Sequence, residues 1–264
     1  MADCAFLFAL LAVGFFGRQR SVSIIKYASH CNRRETGADI FCSSMKKART
    51  ITADMHRTIR GIHCADRLPL RGLIREWVDL NTKIAKEWLP DNDVPWWDGE
   101  RANISVLAGA AWRHSKVNSA VEEYCDHKRK RSRKTGKLKH RNGRVDLYLK
   151  LNSQEFIAEA KVCWSRATSR KANPVPEIRK YLRRACSDIK ASKPNGQRRL
   201  GLVFVVPLVK RKKLAKVDKR LERWVAKVRS IKCDASAWVF PSFAREIGTR
   251  STLYPGVAML VREV

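Results

Sequence analysis

The stretch from Arg144 to Trp164 constrains this chain most, because apolar and polar residues alternate along it twice, with a polar break between the two runs. Strict alternation over this length predicts β-strands that bury one face. The residues at 152–155, Asn-Ser-Gln-Glu, favour a tight turn. The sequence therefore predicts a β-hairpin whose core-facing residues are Val145, Leu147, Leu149 and Leu151 on the first strand and Phe156, Ala158, Ala160 and Val162 on the second.

The same alternation places two carboxylates and one lysine on the other face of the hairpin. Successive strand side chains point to opposite faces, so Glu159 shares a face with Lys161. A register that pairs Leu151 with Phe156 would set Asp146 opposite Lys161, with cross-strand neighbours about 5 Å apart. A shift of one residue would separate these groups.

Two carboxylates a few Å apart form a hard oxygen site suited to Mg²⁺. A neighbouring lysine can orient a water molecule and offset charge on a phosphate, and metal-assisted phosphodiester hydrolysis needs these parts. Asp146, followed after twelve residues by Glu159-Ala160-Lys161, resembles the D…(E/D)xK motif of the PD-(D/E)xK nuclease superfamily, with Val145 where that family's name has proline. The resemblance covers roughly residues 103–264, and its specific motif is confined to the hairpin.

This resemblance implies a restriction-endonuclease-like fold and a metal-dependent nuclease. Asp146 and Glu159 would hold Mg²⁺ or Mn²⁺, and the carbonyl of Ala160 would be available as a further ligand. Lys161 would position the attacking water and stabilise charge on the phosphate. A bland alternative is that Asp146 and Glu159 form salt bridges with neighbouring arginines.

An acidic residue on the helix before the hairpin often joins the metal site in the resembled superfamily. Residues 119–122, Ser-Ala-Val-Glu, have the pattern of a capping box and predict such a helix, with Val121, Tyr124 and Cys125 on its buried face. Glu122 is the candidate for the metal site, with Glu123 behind it. Glu122 could instead act only as a cap.

The charge of the chain indicates a polyanionic partner. Lys and Arg total 55 against 25 Asp and Glu, which gives a formal net charge of +30. A field of this sign attracts polyanions, of which nucleic acid is the commonest. The alternatives are an anionic membrane surface or a ribosome-associated protein without catalysis.

Basic residues are densest at residues 127–144, where ten of eighteen are Lys or Arg. No apolar stripe runs through this segment, which predicts a loop, a frayed helix end or a flexible arm. Beside a phosphodiester-cleaving site it would bind the nucleic-acid backbone through counterion release, without reading sequence. The alternative is a solvated charge run or a localisation-like signal. The predicted nucleic-acid-binding residues are Lys128, Arg129, Lys130, Arg131, Arg133, Lys134, Lys137, Lys139, Arg141 and Arg144.

The remaining patterns predict an α/β fold, a mixed sheet flanked by helices and preceded by a helical segment. Helical spacing of apolar residues predicts helices over residues 69–90, from about 103, over 178–189 and over 214–228. Apolar runs predict strands at 199–209, 237–240 and 257–261. We divide the chain into an extension of doubtful nature at 1–44, a helical segment at 45–98 and the nuclease-like core at 99–264.

The first 44 residues have no clear place in this fold. The apolar run at 5–16 is shorter than the roughly 20 residues that span a bilayer. We interpret residues 1–44 as a mis-assigned start or a hydrophobic leader, with Met45 as a plausible true start. No membrane partner is expected unless residues 5–16 are a real anchor.

The eight cysteines are scattered, without a CxxC pair. We therefore expect no structural zinc, no disulfide framework and a reducing, cytoplasmic compartment. Cys163 and Cys186 are expected to be small buried residues.

The functional hypothesis is a Mg²⁺-dependent nuclease, with an endonuclease preferred over an exonuclease and DNA preferred over RNA, although the sequence does not decide between the two nucleic acids. A homodimer would supply two active sites for cutting both strands. The main alternative is a basic nucleic-acid-binding protein without catalysis. Strandedness, sequence specificity and biological pathway stay open at this point.

Overall fold

The computed structural model is an α/β fold built on one mixed, mostly antiparallel sheet. It describes residues 56–131, 138–167, 173–192 and 196–264, and only the backbone where 126–142 lies in strands. The strands are β1 (Ile59–Cys64), β2 (Val117–Arg131), β3 (Leu138–Leu151), β4 (Gln154–Arg166), β5 (Arg198–Lys210), β6 (Ala235–Phe240), β7 (Thr252–Leu253) and β8 (Val257–Glu263). The helices are α1 (Arg71–Trp88), α2 (Glu100–Arg113), α3 (Val175–Lys190) and α4 (Val217–Arg229). Short 3₁₀ turns lie at Leu89–Asp91, Pro95–Trp97, Arg211–Lys216 and Ser242–Ala244.

The strand order across the sheet is β1-β6-β8-β5-β4-β3-β2, and β7 pairs with one end of β5. The central β4 and β5 run parallel, which requires a crossover connection, and α3 supplies it. Every other strand pair in the described sheet is antiparallel. Strand β4, helix α3 and strand β5 thus form a strand–helix–strand unit that shares its first strand with the hairpin.

Helices cover both faces of the sheet, so the central strand β5 is buried on both sides. Leu202 packs into the core on the side of α1 and α2, whereas its neighbour Val203 packs into the core formed with α3 and α4. This explains the nearly continuous apolar run that predicted the strand. The α/β prediction is confirmed at the level of fold class.

The predicted hairpin is present as β3 and β4, but two of its details were wrong. The turn contains only Asn152 and Ser153, so Leu151 pairs with Gln154 and not with Phe156. The cross-strand register therefore differs by two residues, which preserves the face of each side chain but changes its partner. The alternation also breaks near Asp146, because Val145 packs with the small cluster on the opposite face from Leu147.

The predicted helix after Ser119 was wrong, because these residues belong to strand β2. This strand lies at the edge of the sheet, and of residues 117–125 only Ala120 is buried. An edge strand with so little burial shows no clear apolar alternation. Its backbone is further interrupted by a bulge near Val117 and by a positive φ of 49° at Glu123.

The basic run is also not the predicted loop, helix end or arm without regular structure. Its described backbone continues β2 and β3 as an antiparallel pair out to Arg131 and Leu138. Arg133, Lys134 and Lys137 lie outside the described residues, as do residues 1–55 with the apolar run and Met45.

Most of the remaining helices and strands lie where the sequence predicts them. The four helices and the strands β5, β6 and β8 lie close to their predicted ranges, whereas β1 was not predicted. Cys163 and Cys186 are buried in β4 and α3 as expected. Within the described residues, the helices lack the combination of length and hydropathy needed to cross a bilayer.

Candidate active site

The candidate site lies where β3 and β4 part. The two strands pair only from Leu147 to Leu151, and Asp146 is the first residue beyond this ladder. From there β3 continues with β2, whereas β4 continues alongside β5. The divergence leaves one edge of β4 without a strand partner and forms a fork with Asp146 at its apex.

Two carboxylates take the place of the missing strand. Asp146 Oδ2 accepts a hydrogen bond of 2.7 Å from the main-chain N–H of Ala160. The carboxylate of Glu100 accepts one from the N–H of Val162. Main-chain groups two residues apart point to the same edge of a strand, so both acids lie along the exposed edge of β4.

Glu100 was not among the predicted site residues. It is the first residue of α2 and follows Gly99, whose φ of 100° turns the chain into the helix. Burial raises the pKa of Glu100, and nearby Asp146 adds to this increase, while Lys161 and the N–H of Val162 oppose it. Helix α2, which precedes β2 and the hairpin, thus brings an acid to the fork through Glu100.

Lys161 is surrounded by acids. Its Nζ donates to the carbonyl of Ala160 at 2.7 Å and lies 3.9 Å from Glu159 Oε2 and 3.4 Å from Asp188 Oδ2. Burial alone would lower the pKa of Lys161. The carboxylates of Glu100, Asp146, Glu159 and Asp188 outweigh that effect, so its pKa is raised and the ammonium form is stabilised.

The position of Asp188 depends on close packing between α3 and the sheet. Gly201 of β5 is the direct neighbour of Glu159 in the parallel ladder. A Cβ at Gly201 would lie only 2.6 Å from Cys186 Sγ and 2.8 Å from its main-chain N. The missing side chain therefore lets α3 approach β5, and Asp188 follows Cys186 by two residues. No sequence pattern had indicated either residue.

The three predicted catalytic residues, Asp146, Glu159 and Lys161, are only partly in contact. Lys161 contacts Glu159, which is only 5 % exposed, and it also lies within the field of Asp146. The expected cross-strand pairing of Asp146 with Lys161 is replaced by the hydrogen bond from Ala160. The described contacts of these two acids include the hydrogen bond from Ala160 to Asp146 and the approach of Lys161 to Glu159, and the alternative of salt bridges to arginines stays open.

Glu122 and Glu123 lie beside this site on β2 rather than on a helix. Both line an open cleft of about 630 Å³ together with Glu100, Arg101 and Asp146. Ser105 Oγ donates to Glu122 Oε2 at 2.8 Å. The suggested metal-binding role of either acid stays a prediction.

Glu123 joins two arginines at the mouth of the cleft. Its carboxylate lies 2.6 Å from Arg101 of α2 and 2.5 Å from Arg144 of β3. Arg144, a predicted nucleic-acid-binding residue, is therefore held by an acid in this arrangement. Arg101 has an 89 % exposed side chain and was not predicted.

The oxygen donors at the fork have the chemistry of a hard divalent-cation site. They are the carboxylates of Asp146, Glu100 and Glu159 and the carbonyl of Ala160, which are ligand types that Mg²⁺ and Mn²⁺ accept. Among the described residues, however, no three His, Cys, Asp or Glu side chains converge as a metal-binding group.

Comparison with known proteins adds no relative: no family model matches the chain, and neither the curated proteins nor the solved structures contain a match. The function is therefore inferred from the residues at the fork and the charge around them.

Proposed function

We propose that this protein is a metal-dependent nuclease of the PD-(D/E)xK kind, with its active site at the fork between β3 and β4. The observation that carries the proposal is the environment of Lys161. One ammonium lies within the field of four carboxylates, beside a strand edge that presents the carbonyl of Ala160. This excess of acid in a chain of net charge +30 is unfavourable for binding phosphate unless a cation joins it.

The proposed fold of this nuclease is restriction-endonuclease-like. A hairpin followed by a strand–helix–strand unit is what the resemblance to restriction-endonuclease-like proteins implies. The sheet order and the parallel pair β4–β5 support it.

Asp146, Glu159 and Glu100 would hold the cation, with the carbonyl of Ala160 as a further oxygen. When bound, a divalent cation polarises a phosphate oxygen and lowers the pKa of water. The N–H groups of Ala160 and Val162 fix the orientation of Asp146 and Glu100 before any substrate arrives. Such orientation by hydrogen bonding is typical of residues that hold metals.

Lys161 would act on the reacting phosphate. Its raised pKa keeps it as an ammonium near neutral pH, so it serves as a fixed positive charge and a hydrogen-bond donor. In this role it orients the attacking water and stabilises the negative charge that develops on the phosphate oxygens. A general-base role is disfavoured because the neutral amine is scarce.

The partner in this proposal is nucleic acid, with DNA preferred over RNA. The net charge of +30 and the basic continuation of β2 and β3 support a polyanionic substrate next to the acids. Endonuclease action and a homodimer with two such sites remain part of the hypothesis.

The test is cleavage of plasmid and single-stranded DNA by the full chain, with Mg²⁺ and with EDTA, beside Lys161→Ala. Cleavage that requires both the metal and Lys161 is the expected result. Lys150→Ala is the matched control, because Lys150 lies on the same hairpin and forms an ion pair of 3.6 Å with Glu155 away from the fork. Undiminished cleavage by Lys161→Ala would refute the assignment.

A second candidate is a nucleic-acid-binding protein without catalysis. The observation that favours it is that no three metal-binding side chains converge in the described residues. Tight, salt-sensitive binding with no cleavage of any substrate, under all metals tried, would select this candidate. Asp146→Ala separates the two further, since it abolishes cleavage in a nuclease while binding survives.

A further inference from the structure

The continuation of β2 and β3 past the fork forms a two-stranded ribbon that no other described strand joins. We call the ribbon the segments 125–131 and 138–144. It is antiparallel and in continuous register, from the pair Cys125 and Arg144 to the pair Arg131 and Leu138. Strand β4 pairs with β3 only over Leu147–Leu151, well short of this region. Seven residues at 3.4 Å each give the ribbon a length of about 24 Å.

The register of the ribbon sets basic residues opposite one another. Lys128 pairs with Arg141 and Lys130 pairs with Lys139. Like charges directly opposite across two strands are destabilising, and a two-stranded hairpin is marginal in water even without them. A ribbon of this composition is stabilised when a polyanion neutralises it.

Basic residues also occupy consecutive positions on one strand, from Lys128 to Arg131. Consecutive strand positions belong to opposite faces, so neither face of the ribbon has the apolar stripe that would pack on the core. Both faces of the ribbon therefore carry basic residues, and a partner with negative charge on two sides would neutralise more of them. A flat anionic surface, such as a membrane, offers it on one side only.

The groove of a nucleic-acid duplex has this property. The major groove of B-form DNA is about 12 Å wide, admits a two-stranded β-ribbon and has a phosphate backbone along each wall. The major groove of A-form RNA is deep and narrow, and single strands have no groove. We propose that the ribbon is a groove-binding arm that lies in the major groove of B-form duplex DNA.

The fork then relates this arm to the site. The ribbon begins next to Asp146, so an arm in the groove brings the flanking phosphate backbone to the cleft lined by Glu100, Arg101 and Asp146. Through this connection the inference deepens the proposed function by giving the substrate its secondary structure. The groove binding itself requires neither a metal nor cleavage.

The test measures binding of the full chain in EDTA, where cleavage does not interfere. The probes are a short DNA duplex, an RNA duplex and a DNA single strand of the same sequence, together with anionic phosphatidylserine vesicles. We expect the DNA duplex to bind at least about 10-fold more tightly than the other nucleic acids, with an affinity that falls steeply with salt. Equal or tighter binding to the RNA duplex, the single strand or the vesicles would overturn the inference.

A ribbon variant locates the preference. It carries Lys128→Gln, Lys130→Gln, Lys139→Gln and Arg141→Gln, which remove the two like-charge pairs and so do not weaken the ribbon itself. The matched control neutralises four exposed residues of α3, Arg179→Gln, Lys180→Gln, Arg183→Gln and Lys190→Gln. The ribbon variant should lose the preference for the duplex, and the slope of log affinity against log salt should become shallower by up to about 4.

The control should retain the preference. An equal loss of duplex preference in both variants would show that only the overall positive charge matters, and would contradict the groove-binding arm. A preference for the DNA duplex without cleavage of any substrate would contradict the proposed nuclease but not the groove-binding arm. Cleavage without preference for the B-form duplex would support the proposed nuclease and overturn the groove-binding arm.

Discussion

Two clusters of charged side chains in this molecule differ in their balance. At the fork, a single ammonium, that of Lys161, lies in the field of four carboxylates, which belong to Glu100, Asp146, Glu159 and Asp188. In the second cluster, beside α4, Arg245 is only 1 % exposed and meets one carboxylate, that of Asp218, at 2.7 Å. The first cluster has an excess of acid, and the second does not.

The Arg245 cluster is also closed by main-chain oxygens. Its guanidinium donates to the carbonyls of Pro241 at 2.9 Å and Arg57 at 2.6 Å, and His56 Nδ1 lies 3.2 Å from Asp218. These contacts join α4, the segment after β6 and the chain before β1. Every described contact of Arg245 is thus with a neutral or negative oxygen of the protein itself.

This difference in charge balance indicates which cluster stabilises the fold and which is suited to bind a ligand. A buried charge that is balanced and hydrogen-bonded holds elements together and has no need of a further ligand. A cluster with surplus carboxylates that opens to a cleft attracts a cation and contributes little to the stability of the folded state. Variants of the two clusters test this distinction.

The largest effect on stability should come from Asp218→Asn. It leaves Arg245 buried without a counter-charge and should lower the free energy of unfolding by about 3 kcal/mol, measured by denaturant titration. Asp79→Asn is the control, because its ion pair with Arg60 is exposed and should contribute less than about 1 kcal/mol. A loss from Asp218→Asn no larger than the control's would remove the contrast between the clusters.

The pH dependence of that effect has a definite sign. Burial would raise the pKa of Asp218, but hydrogen bonds from Arg245 and His56 outweigh burial and hold it below its ordinary 3.8. A depressed carboxyl pKa contributes stability above the unfolded value, which is lost as pH falls through the folded one. The difference between wild type and Asp218→Asn should therefore be constant near neutral pH and shrink only below about 3.8.

Mg²⁺ should stabilise the chain through the fork. At a concentration 100-fold above its dissociation constant, a bound cation raises the free energy of unfolding by about 2.7 kcal/mol. We expect this increase in wild type and in Glu155→Gln, whose residue pairs with Lys150, but not in Asp146→Asn. Thermal unfolding with and without Mg²⁺ measures it, and equal stabilisation of Asp146→Asn would place the cation elsewhere.

Glu100→Gln should impair cleavage without impairing stability. We expect kcat/KM to fall about 10- to 100-fold, as for a residue that holds or orients a metal. Burial raises the pKa of Glu100, so its ionised form is disfavoured in the folded protein and its replacement should not lower the stability near neutral pH. The sign follows from linkage: wild type loses stability relative to the variant as pH rises through the folded pKa.

The control for Glu100→Gln is Glu122→Gln, an acid of the same cleft that is hydrogen-bonded to Ser105. If Glu122→Gln reduced cleavage more than Glu100→Gln did, the acid from β2 would be the one that joins the site.

The smallest effect should come from Glu123→Gln. This change releases Arg101 and Arg144, which can then bind phosphate, so the affinity for DNA should rise a few-fold, within about 1 kcal/mol. Glu122→Gln removes the same charge from the same cleft without releasing an arginine. An equal rise in both variants, in a binding titration, would mean that only the net charge matters.

The sequence was most informative where one face of an element is buried. The alternation from Val145 to Val162 predicted β3 and β4, and the apolar run at 199–209 predicted β5, because burial on the sheet dictates both patterns. The register was off by two residues because a polar segment of four can form either a four-residue loop or a two-residue turn. Nothing in the residue types alone decides between these turns.

The parts that were missed depend on long-range packing. Strand β2 lies at an edge with a single buried residue among 117–125, so it had no alternation to detect. Glu100 had a weak signal, since an acid directly after Gly99 is typical of a first helical turn. Its approach to Val162, and that of Asp188 to Lys161, are set by how α2 and α3 pack on the sheet.

The hydrogen bonds from Ala160 and Val162 to carboxylates have a consequence for how this chain behaves among its own copies. A strand edge without a partner is a template on which another chain can add a strand, and natural sheets commonly protect such edges with charge. Here Asp146 and Glu100 occupy those positions on β4. The same two acids that would hold a cation therefore also keep the open fork from being closed by a strand of a neighbouring molecule.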